Sequence, residues 1–456
     1  MQPEQTDVVV IGMGPGGEYA AGALAEAGLR VTGIESRLVG GECPYFACVP
    51  TKMMIRAANL IAEARRVPGM AGAAAVTPDW SPVARRIRAE ATDYWNDKAA
   101  VERFTGKGGS FVRGRGRITG PGEVTVAAGD GDRLLRARRG IVIDTGTDPA
   151  IPPIEGLAGT PYWTNRDIVQ AEQVPDSLIV LGGGPVGAEL AQVFARFGTA
   201  VTVVEAAGRL LPAEEPEAGA LIERVFTREG ITVRTSAPAG RVSHDGTRFT
   251  VRVGSGALSA DRLLVATGRR SDLAALGIAA VGLDDRADAI PTDQWMRAAD
   301  GVWAIGDVTG KGAFTHVSMY QGDIVVRDIL GAGGGSADYR AVPRVTFTDP
   351  EVSSVGLTEE QARAAGLRVR AGVTWLPDSA RGWIHKAGND GCIKVVADAS
   401  RSVLVGATSV GPCGGEVLAA LQVAIRAGVP VPVLRNMAYA YPTFYRAIED
   451  ALRNLS

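Results

Sequence analysis

Two stretches far apart in the chain share one pattern of hydrophobic and polar positions. Residues 8–35 read VVVIGMGPGGEYAAGALAEAGLRVTGIE, and residues 178–205 read LIVLGGGPVGAELAQVFARFGTAVTVVE. They align without a gap at an offset of 170. In each, an apolar run ends in a Gly-rich turn, an Ala-rich segment follows, and a second apolar run ends in Glu. Short apolar runs bounded by turn residues fit buried strands, so each copy predicts strand, turn, helix and strand. Elsewhere the pattern predicts a helix over about residues 48–65 and an Arg- and Ala-rich helix over about 81–105. The runs Ile141–Gly146, Leu263–Gly268 and Val302–Asp307 predict further buried strands, the last ending in an acid. Gly331–Ser336 is Gly-rich and predicts a boundary. Strands and helices alternate from Pro343 and close with a helix after Pro442.

The repeated pattern carries a chemistry. Gly12, Gly14 and Gly17 match Gly182, Gly184 and Gly187, and Glu35 matches Glu205. The first glycine allows a tight turn, the second lets the backbone approach a pyrophosphate, and the third allows close packing of helix on strand. The phosphates then meet the positive end of the helix, and the closing Glu can accept hydrogen bonds from ribose hydroxyls. One such motif is weak evidence, but two aligned copies with the acid at the right distance are specific. Two dinucleotide sites imply two cofactors, and a flavin passing electrons between a nicotinamide and a third group is the economical reading.

Cysteine placement supplies the third group. Of four cysteines, Cys43 and Cys48 lie five residues apart in GGECPYFACVPTK, soon after the first Gly-rich turn. Such a pair can share the first turn of a helix if that turn is distorted, and a helix N-terminus favours a thiolate. The alternative is two inert core thiols. Cys392 and Cys413 show no metal-ligand spacing and read as ordinary buried cysteines. No metal site is expected.

Composition narrows the frame. The chain is 46% hydrophobic and 21% charged, with a formal net charge of −2 and no basic stripe, which argues against nucleic acid or an acidic membrane surface as partner. Residues 1–7 are short and polar, and no apolar run nears the roughly 20 residues of a membrane span. A cytoplasmic location is expected, where disulfides are usually catalytic or transient.

With these motifs the chain resembles the flavoprotein disulfide reductases of the pyridine nucleotide–disulfide oxidoreductase class, a family that includes dihydrolipoamide dehydrogenase, glutathione reductase and mercuric reductase. The resemblance spans essentially the whole chain. Ala266-Thr267-Gly268-Arg269, Ile305-Gly306-Asp307 and Thr348-Asp349-Pro350-Glu351 resemble three further family signatures in the family's order. It implies an α/β fold with two Rossmann-like dinucleotide-binding domains and an α+β C-terminal dimerisation domain. Residues 1–148 would bind FAD and 149–270 NAD(P), while 271–338 would complete the FAD site and 339–456 form the interface of a homodimer.

The resemblance also implies residue roles. Gly12, Gly14, Gly17, Glu35, Gly41, Gly116, Thr145, Gly146, Gly306, Asp307 and Thr315 would serve FAD. Gly182, Gly184, Gly187, Glu205 and Gly268 would serve NAD. Cys48 would be the thiol nearest the flavin and Cys43 the outer, interchange thiol, with Lys52 near the flavin and paired with Glu189. An acid at 205 accepts a 2′-hydroxyl and repels a 2′-phosphate, so NADH is favoured over NADPH, although Arg209 nearby leaves room for some NADPH use.

One family motif is broken. Most relatives carry His-Pro-Thr-x-x-Glu near the C-terminus, where His exchanges protons with the thiols. The aligned residues here run from Tyr441 to Arg446, and the three histidines, His244, His316 and His385, lie outside them. A phenol titrates near 10 rather than near 6.5, so Tyr441 can donate a hydrogen bond or proton but is a poor neutral-pH base, or it serves only the interface. Mercuric reductases also carry Tyr near this region but add C-terminal cysteines, which this chain's last residues, Arg453 to Ser456, lack. The leading expectation is an NADH-linked enzyme that reduces a disulfide or oxidises a dithiol. The alternative is a reductase of quinones or metal ions that does not need the cysteines.

Overall fold

The computed structural model describes residues 2–129 and 131–456. Met1 and Asp130, both inside the expected first domain, lie outside the described residues. The chain folds as two units. One comprises the residues up to Pro50 with Arg85–Ala150 and Arg269–Asp338, and the other Thr51–Ala84, Ile151–Gly268 and Tyr339–Ser456.

The first unit is built on a sheet whose parallel core carries the first repeat. Strand Glu4–Ile11 pairs in parallel with Val31–Glu35 on one side and Gly131–Ile143 on the other. Val302–Ala304 extends the parallel core beyond Gly131–Ile143, and Ser110–Gly120 extends it beyond Val31–Glu35. Val8, Val9, Val10, Ile141 and Val142 are fully buried, as expected for parallel strands covered on both faces. Ser110–Gly120 and Gly131–Ile143 run on into an antiparallel meander with Glu123–Ala128. Helix Pro15–Glu26 makes the crossover between the first two strands, and helix Thr315–Leu330 packs on it.

The second unit holds the second repeat and the C-terminal layer. A parallel sheet orders Arg262–Val265, Ser177–Leu181, Ala200–Val204 and Thr232–Arg234, beside a three-stranded meander of Ala239–His244, Phe249–Val253 and Gly256–Ala260. Beyond Pro343 lies a five-stranded antiparallel sheet, with Val403–Gly411 central, against which helices Gly414–Ala427 and Ala447–Arg453 pack. The class is therefore α/β, with two dinucleotide-type sheets and an α+β C-terminal part.

The expected helix over 81–105 is corrected. It is broken into Ser81–Arg86, a π-helical turn Ile87–Ala91, and Lys98–Thr105. Thr92 Oγ1 donates to the carbonyls of Ile87 and Arg88, ending the ladder. Asp93, Tyr94 and Trp95 then take φ of 44°, 58° and 57°, a left-handed run that non-glycine residues rarely adopt. What over-rides the helical periodicity is tertiary. Asp97, just past the break, is buried, accepts a 2.7 Å hydrogen bond from Val39 N and pairs with Arg113.

One buried charge cluster ties the second repeat to the C-terminal sheet. Lys394, on strand Cys392–Asp398, reaches Glu215 and Glu217 at 2.9 Å and Glu359 at 3.0 Å with its side chain almost wholly enclosed. Burial alone would push the ammonium down, but hydrogen bonds to the three carboxylates hold it well above its ordinary value. Removing the lysine strands those acids, so Lys394→Ala should cost about 3–5 kcal/mol. An unchanged urea midpoint in Lys394→Ala would show that the cluster contributes nothing to stability.

Candidate active site

The two glycine turns have the same construction. Gly12 and Gly182 take φ of 90° and 104°, and a Cβ on either would overlap a carbonyl, that of Asp144 or Ala266. A Cβ on Gly17 or Gly187 would overlap the carbonyl of Gly12 or Gly182. Gly14 and Gly184 are the N-caps of Pro15–Glu26 and Pro185–Arg196, and neither helix has a side-chain cap. Both helix ends therefore keep the partial positive charge that suits an anion, although at the first of them Gly17 N is bonded to the Asp144 carboxylate. Glu35 accepts from Met13 N at 2.9 Å and Arg37 N at 2.7 Å. Glu205 repeats this at the same offset, accepting from Gly183 N and Ala207 N, both at 2.6 Å. Each acid is thus locked at its strand end beside its turn. Uncapped helix ends, glycine clearances and an oriented acid fit a dinucleotide at each turn.

Around the first turn, the loop after Glu35 folds back so that Gly40 N donates to Met13 O at 2.7 Å, and a Cβ on Gly41 would touch Gly14 at 3.0 Å. Thr145 and Gly146 follow strand Gly131–Ile143, and a side chain at Gly146 would meet open space. Gly306 and Asp307 open a 3-10 turn after Val302–Ala304. Gln321, fully buried, accepts from Gly306 N at 2.6 Å. Thr147 donates to Asp307 at 2.8 Å, and Arg269 donates to Thr147. Gly116 lies within strand Ser110–Gly120, where a Cβ would meet Ile11 and Ile34, the residues before Gly12 and Glu35.

Sequence reasoning missed Asp144. Its buried carboxylate accepts from Gly17 N at 2.7 Å and from Ser318 Oγ at 3.1 Å. Burial pushes this acid well above the usual carboxylate range, against the lowering effect of those two hydrogen bonds. A signal was present, since Asp144-Thr145-Gly146 stands where the second repeat has Ala266-Thr267-Gly268.

The thiol segment corrects a second expectation. Cys43 and Cys48 do not share one helical turn. Cys43 lies in the one-turn helix Glu42–Tyr45, entered at Gly41 with φ 69°. Phe46, at φ −134°, ends that turn, and Cys48 opens the helix Cys48–Arg66. Pro50 is tolerated there because first-turn N–H groups have no helical partner. Cys48 Sγ lies 3.6 Å from Thr315 Oγ1, the first residue of Thr315–Leu330, a helix that has no side-chain cap. The sulfur therefore begins one helix and meets the N-terminal end of another, and both positive ends favour a thiolate.

Lys52 follows Cys48 by one turn of the same helix. Its Nζ donates to Glu189 Oε2 at 2.8 Å and lies 4.5 Å from the Phe347 ring centre. Glu189, buried on Pro185–Arg196, also accepts from Phe347 N at 2.8 Å. Beside the second turn, Arg209 donates to the carbonyls of Pro212 and Glu214. Gly268, φ 123°, would meet open space with a side chain.

In the C-terminal layer Tyr441 is 70% exposed, with the Arg446 guanidinium 5.6 Å from its ring. His385 packs edge-on against Phe444, and burial holds it below its ordinary value. Cys392 is fully buried and pushed up to about 12 by burial, whereas Cys413 is only half-buried. Among the described residues no helix is long and apolar enough to cross a membrane, and no cluster of His, Cys, Asp and Glu is placed to hold a metal.

The family model for pyridine nucleotide-disulphide oxidoreductases matches residues 6–322, and that for their dimerisation domain matches residues 342–452. A mercuric reductase of Acidithiobacillus ferrooxidans is 33% identical, over 99% of this chain and 83% of the relative. A dihydrolipoyl dehydrogenase of Chlorobaculum tepidum is 34% identical, over 98% and 96%. Among solved structures, the Cu(II) complex of the HOCl-induced flavoprotein disulfide reductase RclA from Escherichia coli superposes with a TM-score of 0.86 at 28% identity, over 99% of both chains. LpdA from Mycobacterium tuberculosis superposes with a TM-score of 0.86 at 27% identity, over 98% of this chain and 99% of that one. The chain belongs to the class I pyridine nucleotide-disulfide oxidoreductases, flavoprotein enzymes that work with FAD and a pyridine nucleotide.

Proposed function

We propose that this enzyme reduces a small disulfide with NADH, turning over the Cys43–Cys48 pair. The observation that carries the reading is the position of Cys48, whose sulfur lies at two helix N-termini with Thr315 Oγ1 at 3.6 Å. FAD, held by the first glycine turn and Glu35, supplies hydride exchange with the nicotinamide, and the second turn with Glu205 holds NADH. The reduced pair is a Cys43 thiol and a Cys48 thiolate. Once deprotonated, Cys43 attacks the substrate disulfide and releases one thiolate. Cys48 then attacks Cys43 sulfur, releasing the second thiolate and re-forming the pair. The sum is NADH, substrate disulfide and one proton giving NAD and two thiols. Tyr441 donates a hydrogen bond to the substrate from the partner subunit of a homodimer. Its exposure, with that of Trp383 and Val423, fits an interface in the matched dimerisation domain.

A second reading is favoured by Tyr441 standing where a proton-exchanging His is expected. A thiolate pair is also a soft metal ligand, and relatives are named as mercuric reductases and as a Cu(II) complex. A soft metal ion would then be the substrate, reduced at Cys43 and Cys48. In the cysteine-independent version, quinones or metal ions are reduced without the pair.

Cys43→Ser separates these. Disulfide and thiol-bound metal reduction should fall more than about a hundredfold, with quinone reduction near wild type. Retained disulfide reduction would overturn the proposal. The turn assignments are tested separately. Gly17→Ala should yield protein that loses its flavin, whereas Gly187→Ala should stay yellow but no longer be reduced by NADH. The reverse pattern would exchange the two sites. NADH preference is supported by Glu205 locked at its turn and by Arg209 committed to the carbonyls of Pro212 and Glu214. The kcat/KM for NADH should exceed that for NADPH by at least about tenfold, narrowing in Glu205→Ala. Equal values in wild type would contradict it.

A further inference from the structure

We infer that Asp144 is a positioning residue that latches helix Thr315–Leu330 to the first glycine turn and so sets the helix end against Cys48. The inference rests on the reading of Cys48 as a working thiol. Its basis is a comparison the chain makes with itself. The two repeats share their turn geometry down to the carbonyl approached by Gly12 or Gly182. The second manages with Ala266 where the first has Asp144, so the turn itself does not need the carboxyl. A buried carboxyl is costly unless its oxygens are satisfied. Here each oxygen has a donor from a different element.

Oδ2 accepts from Gly17 N in the third position of the Pro15–Glu26 helix. Oδ1 accepts from Ser318 Oγ. The surrounding glycines make room for it. A Cβ on Gly14 would come within 2.9 Å of Oδ2, and one on Gly306 would overlap Oδ1. Ser318 also sits against Gly16, where a Cβ would overlap its hydroxyl. Ser318 is one helical turn from Thr315, whose Oγ1 lies 3.6 Å from Cys48 Sγ. The contacts therefore run from Gly17 through Asp144 and Ser318, along one turn of helix, to Thr315 and the sulfur.

The ionisable groups on the elements around this end include Asp307, Lys311, Glu35, Glu18 and Tyr19, with His316, Asp323 and Arg327 on the latched helix and Glu42, Cys43 and Lys52 on the elements that carry the sulfur. Asp307 and Glu35 add negative charge that raises the Asp144 carboxyl further. Glu18 is paired with Arg103, and Tyr19 bonds Asp323. An amide in this place keeps an oxygen to accept from Gly17 N and an N–H within reach of Ser318 Oγ, so Asn can replace the carboxyl.

The test uses reduced holoenzyme and reads Cys48 alkylation by iodoacetamide against pH, located by peptide mass spectrometry, together with the rate of FAD loss. Asp144→Ala and Ser318→Ala should both move the Cys48 midpoint alkaline by about half a pH unit, as expected when a helix end is displaced. Both should also lose FAD several-fold faster. Asp144→Asn should stay within twofold of wild type in both. Wild-type profiles in the two alanine variants would overturn the latch, and so would an equal shift in Asp144→Asn, which would assign the effect to charge. If Asp144→Ala does not fold, Ser318→Ala decides. Should Cys43→Ser show the thiols idle in turnover, the Cys48 profile still reports the latch by itself.

Discussion

Helix N-termini whose N-cap residues bring no capping side chain are the feature around which this fold is arranged. Helices such as Asn165–Ile168 and Glu359–Ala364 close theirs with capping boxes from Thr164 and Thr358. The two that follow the glycine turns do not, and neither does Thr315–Leu330. Two of these ends suit a dinucleotide pyrophosphate, and the third meets the Cys48 sulfur, where it would favour a thiolate. Strand registers and buried side chains hold each end in place. Glu35 and Glu205 tie down the loops beside the turns, and Asp144 reaches across from a strand to take the Gly17 donor.

The repeat was legible because glycine spacing and strand-ending acids are local properties. The same hydrogen bonds recur at an offset of 170, from Met13 to Glu35 and from Gly183 to Glu205. What the sequence obscured depends on contacts distant in the chain. The periodicity of 81–105 gave no warning of the break at Asp93–Trp95, because the reason lies partly at Val39, held by Asp97. The split between the Cys43 turn and the Cys48 helix hangs on Phe46, whose neighbours read as helical. Asp144 has its partner, Ser318, 174 residues away, beyond the reach of any local pattern. Gly116 packs on Ile11 and Ile34, the residues that precede Gly12 and Glu35, a neighbourhood that only the fold displays.

The C-terminal layer shows how far a family template carries. The dimerisation-domain model matches residues 342–452, which carry the five-stranded sheet and an exposed Tyr441. The residue that would exchange protons differs in chemistry. A phenol carries a hydrogen-bond donor where the family's imidazole carries an acid–base group. The proposed substrate classes are those that a reduced Cys43 and Cys48 pair would serve with a hydrogen-bond donor in place of that base. Thiol exchange and soft-metal reduction remain within that chemistry, and both keep the cysteine pair in the path of electrons.

That path is the central claim, and an anaerobic NADH titration of the yellow holoenzyme followed by absorbance tests it most directly. The account predicts uptake of twice the electrons that flavin alone requires, with a long-wavelength thiolate–flavin band at the halfway point. Reduction of flavin alone, without that band, would contradict it and leave the cysteines outside the reaction.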